Sequence, residues 1–208
     1  MVKQITLKKG LYDVNGYFYI NDETKAGFLF DPGAEGKRIA DIIDKNGYNI
    51  EKIIITHGHF DHIDGIKELL AYKKIPVFIH ENGKTFLSDP YYNLSRQAGV
   101  GEIILSADGY FKDGDVIALS DGSLPLRVIH TPGHTDDSCV FYSEKDKLAF
   151  TGDTIFKGTY GNFRFPTGDL NTLLRSIKEK VLTLPPDTVL YSGHTGPTTA
   201  ADERNLYL

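Results

Sequence analysis

The segment Thr56-His57-Gly58-His59-Phe60-Asp61-His62 carries four metal-ligating side chains within six residues, and few folds can use such a segment. Ile53-Ile54-Ile55 just before it is a β-branched apolar run of the kind that forms a buried strand. If the chain stays extended past that strand, His57, His59 and Asp61 share a parity and project to one side. His62 breaks the parity and is placed to serve a second centre beside the first. Three of the seven histidines fall in this one stretch, a concentration that a solvated loop has no reason to collect.

One metal needs more ligands than this segment supplies, and the rest of the chain holds them. Thr131-Pro132-Gly133-His134-Thr135 follows the apolar strand Leu126 to Ile129. Phe150-Thr151-Gly152-Asp153-Thr154 repeats the arrangement, and Leu190-Tyr191-Ser192-Gly193-His194 repeats it again. A glycine precedes each of His134, Asp153 and His194, which allows close backbone approach and unusual φ. Strand ends that each deliver ligands to one rim are how rigid scaffolds build sites. Any one of these residues alone would carry little weight; their shared context makes them a set.

The HxHxDH stretch from His57 to His62, TPGHT around His134, TGDTIF around Asp153 and SGHTGP around His194 resemble the metallo-β-lactamase superfamily. Within it the chain is most similar to the glyoxalase II-like single-domain hydrolases. Asn15-Gly16-Tyr17-Phe18 and Phe30-Asp31-Pro32-Gly33 also look like that superfamily, so the match spans about residues 12 to 200. The resemblance implies an α/β (α+β) fold, a four-layer αββα sandwich, in one domain over residues 1–208. It implies much less about substrate, because this superfamily hosts many reactions.

Donor chemistry divides the ligands. Neutral imidazoles of His57, His59 and His134 suit Zn²⁺ with an open fourth position. Asp61, His62 and His194 make a harder second site, and Asp153 is the carboxylate able to bridge both. The expected cofactor is two Zn²⁺ per chain, with Fe or Mn as alternatives. Two ions about 3.5–4 Å apart hold a shared hydroxide acidified to a pKa of about 7, and Asp61 could orient it or carry its proton. His80 and His130 are not needed to fill the sites and read as packed or outer histidines. Phe18, Phe28, Phe30 and Phe150 read as core, while Tyr91-Tyr92 could line a pocket.

The expected activity is hydrolysis of small thioesters or esters, as in hydroxyacylglutathione hydrolases. In that family the segment after GDTLF continues through a glycine to a basic residue that contacts the thiol cofactor's carboxylate. Here Tyr160-Gly161-Asn162-Phe163-Arg164 puts Asn162 at that place, with Arg164 two residues on, so Tyr160, Asn162 and Arg164 are the candidate substrate contacts. The sequence also ends 14 residues after His194 (208 minus 194), where two-domain glyoxalase II enzymes continue into a glutathione-clasping helical domain. Both departures weigh against glutathione thioesters specifically. The same side chains also resemble a persulfide dioxygenase, an oxidoreductase that would hold one Fe²⁺ through His57, His134 and Asp153. A β-lactamase is disfavoured because members with histidine at the position of His62 usually lack the Asp153-type bridge.

Composition narrows the classes further. With 208 residues and 40% hydrophobic content, one domain with a substantial core is expected. A formal charge of −5 argues against a nucleic-acid surface, which would show a basic stripe. The single cysteine, Cys139, fits a reducing, cytoplasmic setting and reads as a core thiol. Met1 to Thr6 lacks an apolar signal region, and no run approaches the about 18 apolar residues of a membrane span. A small-molecule substrate is therefore expected, without a nucleic-acid or membrane partner; oligomeric state is not readable.

Along the chain, residues 3–8, 14–20 and 25–30 read as short strands, with helical spacing at Ile39, Ile42 and Ile43 and again at Ile63, Ile66, Leu69 and Leu70. Strands are expected at Val77 to Ile79, Ile103 to Leu105, Val116 to Leu119, Leu126 to Ile129, Cys139 to Tyr142, Leu148 to Phe150 and Val189 to Tyr191. Residues 88–100 read as an irregular excursion. Asp169 is the expected N-cap of a helix presenting Leu170, Leu173, Leu174, Ile177 and Val181, and Pro185-Pro186 ends it.

Overall fold

The computed structural model describes residues 1–207. Two six-stranded sheets face each other. The first runs β1 (Val2–Lys9), β2 (Tyr12–Ile20), β3 (Ala26–Phe30), β4 (Asn49–Ile54), β5 (Val77–His80) and β6 (Gly109–Phe111), in that order. Its first three strands are antiparallel and the remainder parallel. The second contains β7 (Val116–Ile117), β8 (Leu126–His130), β9 (Cys139–Ser143), β10 (Leu148–Gly152), β13 (Val189–Ser192) and β14 (Thr198–Thr199), ordered 14-13-10-9-8-7. A small ribbon, β11 (Ile155–Phe156) with β12 (Thr159–Tyr160), projects beside it.

Helices close the outer faces. α1 (Gly36–Asn46), α2 (Phe60–Ile63), α3 (Ile66–Leu70), α4 (Gly83–Ser88) and α5 (Ser95–Ala98) connect strands of the first sheet. α6 (Leu170–Ser176) continues into a π-helical turn, Ile177–Val181, on the second sheet, and α7 (Ala200–Tyr207) follows β14. Asp169 caps α6 as expected, its carboxylate accepting the Thr172 amide at 2.8 Å.

Three apolar clusters correspond to the three interfaces of an αββα stack. Strand alternation sorts the side chains: Ile53 and Ile55 face the outer helices while Ile54 faces the other sheet. β4 is therefore buried on both faces, which is why it reads as an unbroken isoleucine run. In the outer cluster Phe18, Ile20, Leu29 and Ile79 pack against Ile39, Ile43, Ile66 and Leu69. The middle cluster is aromatic: Phe30 stacks on Phe150 at 4.0 Å, with Phe28, Phe141 and Cys139 around them. The third joins Val140, Ala149 and Leu190 to Leu173, Ile177 and Val181. The four-layer sandwich implied by the resemblance is the observed fold.

Several local expectations are corrected. Ile103 to Leu105 forms no strand; Gly109–Phe111 takes that place in the sheet. The Ile103 amide bonds the Ser95 hydroxyl, its carbonyl takes the Asn93 side-chain amide, and the Leu105 amide bonds the Leu87 carbonyl, so no ladder partner is left for them. The excursion at 88–100 includes the short helix α5, and the segment before it forms α4. The second apolar stretch splits into α2 and α3. Among the described residues no helix is long and apolar enough to cross a membrane.

Candidate metal centre

β4 ends at Ile54, and its continuation is pinned by Asp31. The Asp31 carboxylate accepts the Thr56 amide at 2.8 Å and the Thr56 hydroxyl at 2.7 Å. The chain bends at Thr56 and His57, where an extended continuation was expected, and reaches His59 with φ and ψ of −69° and 150°. His57 and His59 still turn to the same side, with His57 Nε2 3.1 Å from His59 Nδ1. Parity ends there. Helix α2 starts at Phe60, so Asp61 does not join His57 and His59 as an extended chain would require; it sits with His62 and His194 instead.

His134 completes the first group. Its Nε2 is 3.1 Å from His57 Nε2 and 2.9 Å from His59 Nδ1, and all three imidazoles are buried. Asp61, His62 and His194 form the second, with His194 Nε2 3.3 Å from Asp61 Oδ2. Asp153 stands between them. Its Oδ1 is 3.3 Å from His62 Nε2, and its Oδ2 is 3.3 Å from His194 Nε2 and 3.7 Å from His134 Nε2. All seven residues singled out in the sequence thus converge, and His80 and His130 do not. Those two stack on each other at 4.1 Å, with His130 Nε2 donating to the Asp136 carbonyl.

The close approach of backbone that the preceding glycines allow is visible here. Gly152 has φ +49°, and a Cβ on it would lie 2.4 Å from the Thr56 hydroxyl oxygen. A Cβ on Gly193 would lie 2.3 Å from Asp153 Oδ1.

Each histidine but one directs Nε2 inward and uses Nδ1 outward. His134 Nδ1 donates to the Asn162 carbonyl at 2.6 Å, and His194 Nδ1 donates to the Asp13 carbonyl at 2.7 Å. His62 Nδ1 meets Asp31 Oδ2 at 3.0 Å. A carbonyl only accepts, so in His134 and His194 the proton resides on Nδ1 and Nε2 offers a lone pair unless the ring is cationic. Outward bonds of this kind orient metal-binding imidazoles. Asp31 is the residue that sequence reasoning placed in a family-like segment without a role; its position directly after β3, in Phe-Asp-Pro-Gly, is the available signal. Asn15 and Tyr17 likewise gain a task, since the Asn15 amide and the Tyr17 hydroxyl both bond the Ser192 carbonyl beside the His194 turn.

Electrostatics separates the two groups. Burial, reinforced by neighbouring imidazoles, pushes His57 and His59 well below the usual histidine range, and burial lowers His134. Burial opposes the charge on His62 too, but Asp153 and Asp31 overcome it and hold that ring well above its usual range. For His194 burial is likewise outweighed, by Asp153 and then Asp61, and its value is pushed up to about 10. Burial would raise both carboxylates, yet His194 and His62 keep Asp61 low and Asp153 far lower.

The donors fit metal ions. His62 Nε2, Asp153 Oδ1 and His59 Nε2 are buried without a hydrogen-bond partner, and the first two of these face the centre, where a cation would satisfy them. Three imidazole nitrogens beside a carboxylate-containing group suit two first-row divalent ions. The His/Asp cluster fits a dinuclear site.

The substrate candidates are placed differently. Tyr160 packs with Phe163 and Tyr207, at centroid distances of 6.3 and 6.2 Å. Asn162 serves through its carbonyl, while its side-chain oxygen accepts the Arg164 amide. The exposed Arg164 guanidinium lies over Phe163 at 5.7 Å. Phe165 was not foreseen: its ring lies 5.4 Å from that of His59 and 6.2 Å from that of His134.

Comparison with known proteins agrees with this geometry. The chain is 37% identical over 190 residues to the probable metallo-hydrolase YqgX of Bacillus subtilis, covering 91% of this chain and 88% of that protein. It is 31% identical over 185 residues to hydroxyacylglutathione hydrolase GloC of Haemophilus influenzae, covering 88% and 86%. The crystal structure of BLEG-1 B3 metallo-beta-lactamase superposes with a TM-score of 0.91 at 32% identity, covering 99% and 97%. The pattern of the metallo-beta-lactamase superfamily matches residues 10–194, and the chain belongs to that superfamily.

Proposed function

We propose that this protein is a dinuclear metal-dependent hydrolase of small thioesters and related esters. The observation that carries the reading is the position of Asp153, one carboxylate within 3.7 Å of His62, His134 and His194 at once. Divalent ions in such a pair of groups lower the pKa of water to about 7 and polarise a carbonyl. His57, His59 and His134 would hold one ion, Asp61, His62 and His194 the other, with Asp153 shared.

The chain's own groups are suited to this. His57 and His59 are held neutral by burial and are ready as lone-pair donors. Asp61 is 17% exposed and kept ionised, so its free oxygen can orient a water or take its proton at the open side of the centre. A single-iron persulfide dioxygenase would use His57, His134 and Asp153 alone. Two ions would engage His59, Asp61, His62 and His194 as well, and metal analysis separates the two readings.

The likeness to GloC supports a thioester as substrate. We further place the enzyme in the cytoplasm, on the strength of one buried cysteine. β-Lactam hydrolysis is the second reading, favoured by the superposition on BLEG-1. The deciding experiment is metal analysis of protein purified without added metal, followed by kcat/KM on a panel of thioesters, lactones, nitrocefin and a persulfide. Two metal equivalents and fastest turnover of thioesters are expected. One iron with oxygen uptake on persulfide, or nitrocefin turnover exceeding that of every thioester, overturns the proposal.

A further inference from the structure

Beside the metal centre the surface opens into a cavity of about 360 Å³. Tyr12 and Phe60, edge to face at 4.9 Å, form one wall; Tyr91, Leu94 and Ala98 form the second, and Phe165 the third. The cavity adjoins the centre through two of these residues. Phe60 directly follows His59, and the Phe165 ring lies against His59 and His134.

Its walls are tied to the ligand loop. The Asn93 carbonyl accepts the Phe60 amide at 2.8 Å, and the Asn93 side chain bonds the carbonyls of Phe86 and Ile103. Leu94 then adopts φ +65°, and Thr167, next to Pro166 on the opposite lip, adopts φ +69°. Bulky and β-branched residues avoid this region, and strain of this kind concentrates at ligand clamps. In Leu94 it sets a nearly buried leucine into the cavity wall.

The chemistry of the lining is one-sided. Among the described residues no lysine, arginine or histidine lines the cavity, and its one amide, Gln97, already donates to the Tyr91 carbonyl. Apolar and aromatic walls with few polar groups are the usual lining of a small-molecule pocket of this size. The wetter side of the centre is at His194, which is 28% exposed and does not line the cavity.

The geometry points to an acyl subsite: the cavity takes the apolar acyl group, alkyl or aromatic, of a thioester whose polar thiol part lies toward His194. This rests on the hydrolase reading above and names its substrate class. In the reaction water adds across the C–S bond. Its oxygen joins the acyl carbon, the sulfur leaves with a proton, and the products are an apolar carboxylic acid and a free thiol, with no change of oxidation state.

The test uses N-acetylcysteamine thioesters of acetyl, butyryl, hexanoyl and benzoyl groups, which share one small neutral thiol. With metal-loaded protein kcat/KM should climb about threefold to fourfold per methylene from acetyl to hexanoyl. Ala98→Trp, which fills the cavity, should bring the hexanoyl-to-acetyl ratio close to one while metal content reports that the fold is retained. In parallel, S-ethyl and S-hexyl thioethers of the same thiol, which have no scissile carbonyl, are titrated calorimetrically. Flat series for both esters and thioethers overturn the subsite and leave the hydrolase reading standing. No hydrolysis of any thioester, with tighter binding of the hexyl thioether, sinks the hydrolase reading and keeps the apolar site. A further set, acetyl thioesters of ethanethiol, butanethiol and hexanethiol, varies the thiol instead; rates that follow its length, and not that of the acyl group, overturn the orientation.

Discussion

Asp31 Oδ2 lies 3.0 Å from Nδ1 of His62, and the same carboxylate holds both the amide and the hydroxyl of Thr56. One buried side chain thus sets the exit of β4 and the aim of a ligand on the helix that follows. It does so from φ +47°, a conformation that aspartate and asparagine tolerate better than most residues. Asp31→Asn keeps that backbone and most of the shape but loses the charge facing His62. Metal affinity of the second group should fall about 10- to 100-fold, as for other outer partners of metal-binding histidines. Competition with a chelator measures it, and unchanged affinity of both ions would remove Asp31 from the centre's design.

Asp153→Ala should lower occupancy of both ions together, since the carboxylate stands between the groups. Turnover should fall by more than the about 10–100-fold typical of outer partners. Metal analysis and steady-state rates check this. A variant that kept two ions and near-normal rates would show that Asp153 is not shared.

A methyl group at Gly193 would intrude on Asp153 Oδ1 and lie 2.7 Å from His62 Cε1. Gly193→Ala should therefore displace the carboxylate, and a misplacement near 1 Å lowers catalysis by about a hundredfold. Gly196→Ala, whose added Cβ meets nothing within 4 Å, is the control. Equal activity of the two variants would mean the approach at Gly193 is not tight.

His80 offers a pH prediction away from the metal. Burial, with the stacked His130, pushes its imidazole down to about 4. An unfolded chain takes up that proton near pH 6.5, whereas the folded chain does so only near 4. Stability linked to His80 is therefore complete above about pH 6.5 and falls as pH drops toward 4, by about 2–3 kcal/mol. His80→Gln should narrow the gap between denaturation free energies at pH 7 and pH 4.5 in metal-free protein, and should leave metal stoichiometry intact. An unaltered gap means His80 is already protonated or solvated; a lost metal equivalent means the ligand set is larger than seven.

Asn162 stands where a carboxylate-reading base is expected, and its side chain is exposed while its carbonyl bonds His134. A missing charge-assisted pair is worth about 1.5–3 kcal/mol, so KM for S-lactoylglutathione should be raised by roughly tenfold to a hundredfold. Asn162→Arg should recover part of that affinity with the His134 bond unaffected. Efficient turnover of S-lactoylglutathione by the unaltered protein, or a KM penalty from Arg164→Ala, would show that the charge is supplied already.

His57, His59, Asp61 and His62 were legible because four donors fall within six residues, and His134, Asp153 and His194 because a glycine at a strand end announces each. The αββα layering came from the resemblance and is matched by the alternation of Ile53, Ile54 and Ile55 between two interfaces. Asp31 was not assigned a role because its partner Thr56 lies 25 residues away and no spacing announces the pair. Asp61 was given strand parity because periodicity does not mark where a four-residue helix begins. Ile103 to Leu105 has the composition of a strand, and the side chains of Asn93 and Ser95 took the backbone groups that a ladder would have used. The cavity was hinted at only by Tyr91, because its walls come from residues 12, 60, 91–98 and 165–166.

The seven donors are divided between the sheets. His57, His59, Asp61 and His62 hang from the end of β4 in the first, while His134, Asp153 and His194 follow β8, β10 and β13 in the second. Ions seated among them would be rivets through the seam of the sandwich. A slip of one sheet past the other by a single residue, about 3.3 Å, would tear three donors from the other four. Shear along the aromatic seam and escape of metal would then be one event, and metal supply would set how firmly the two halves of this molecule are joined.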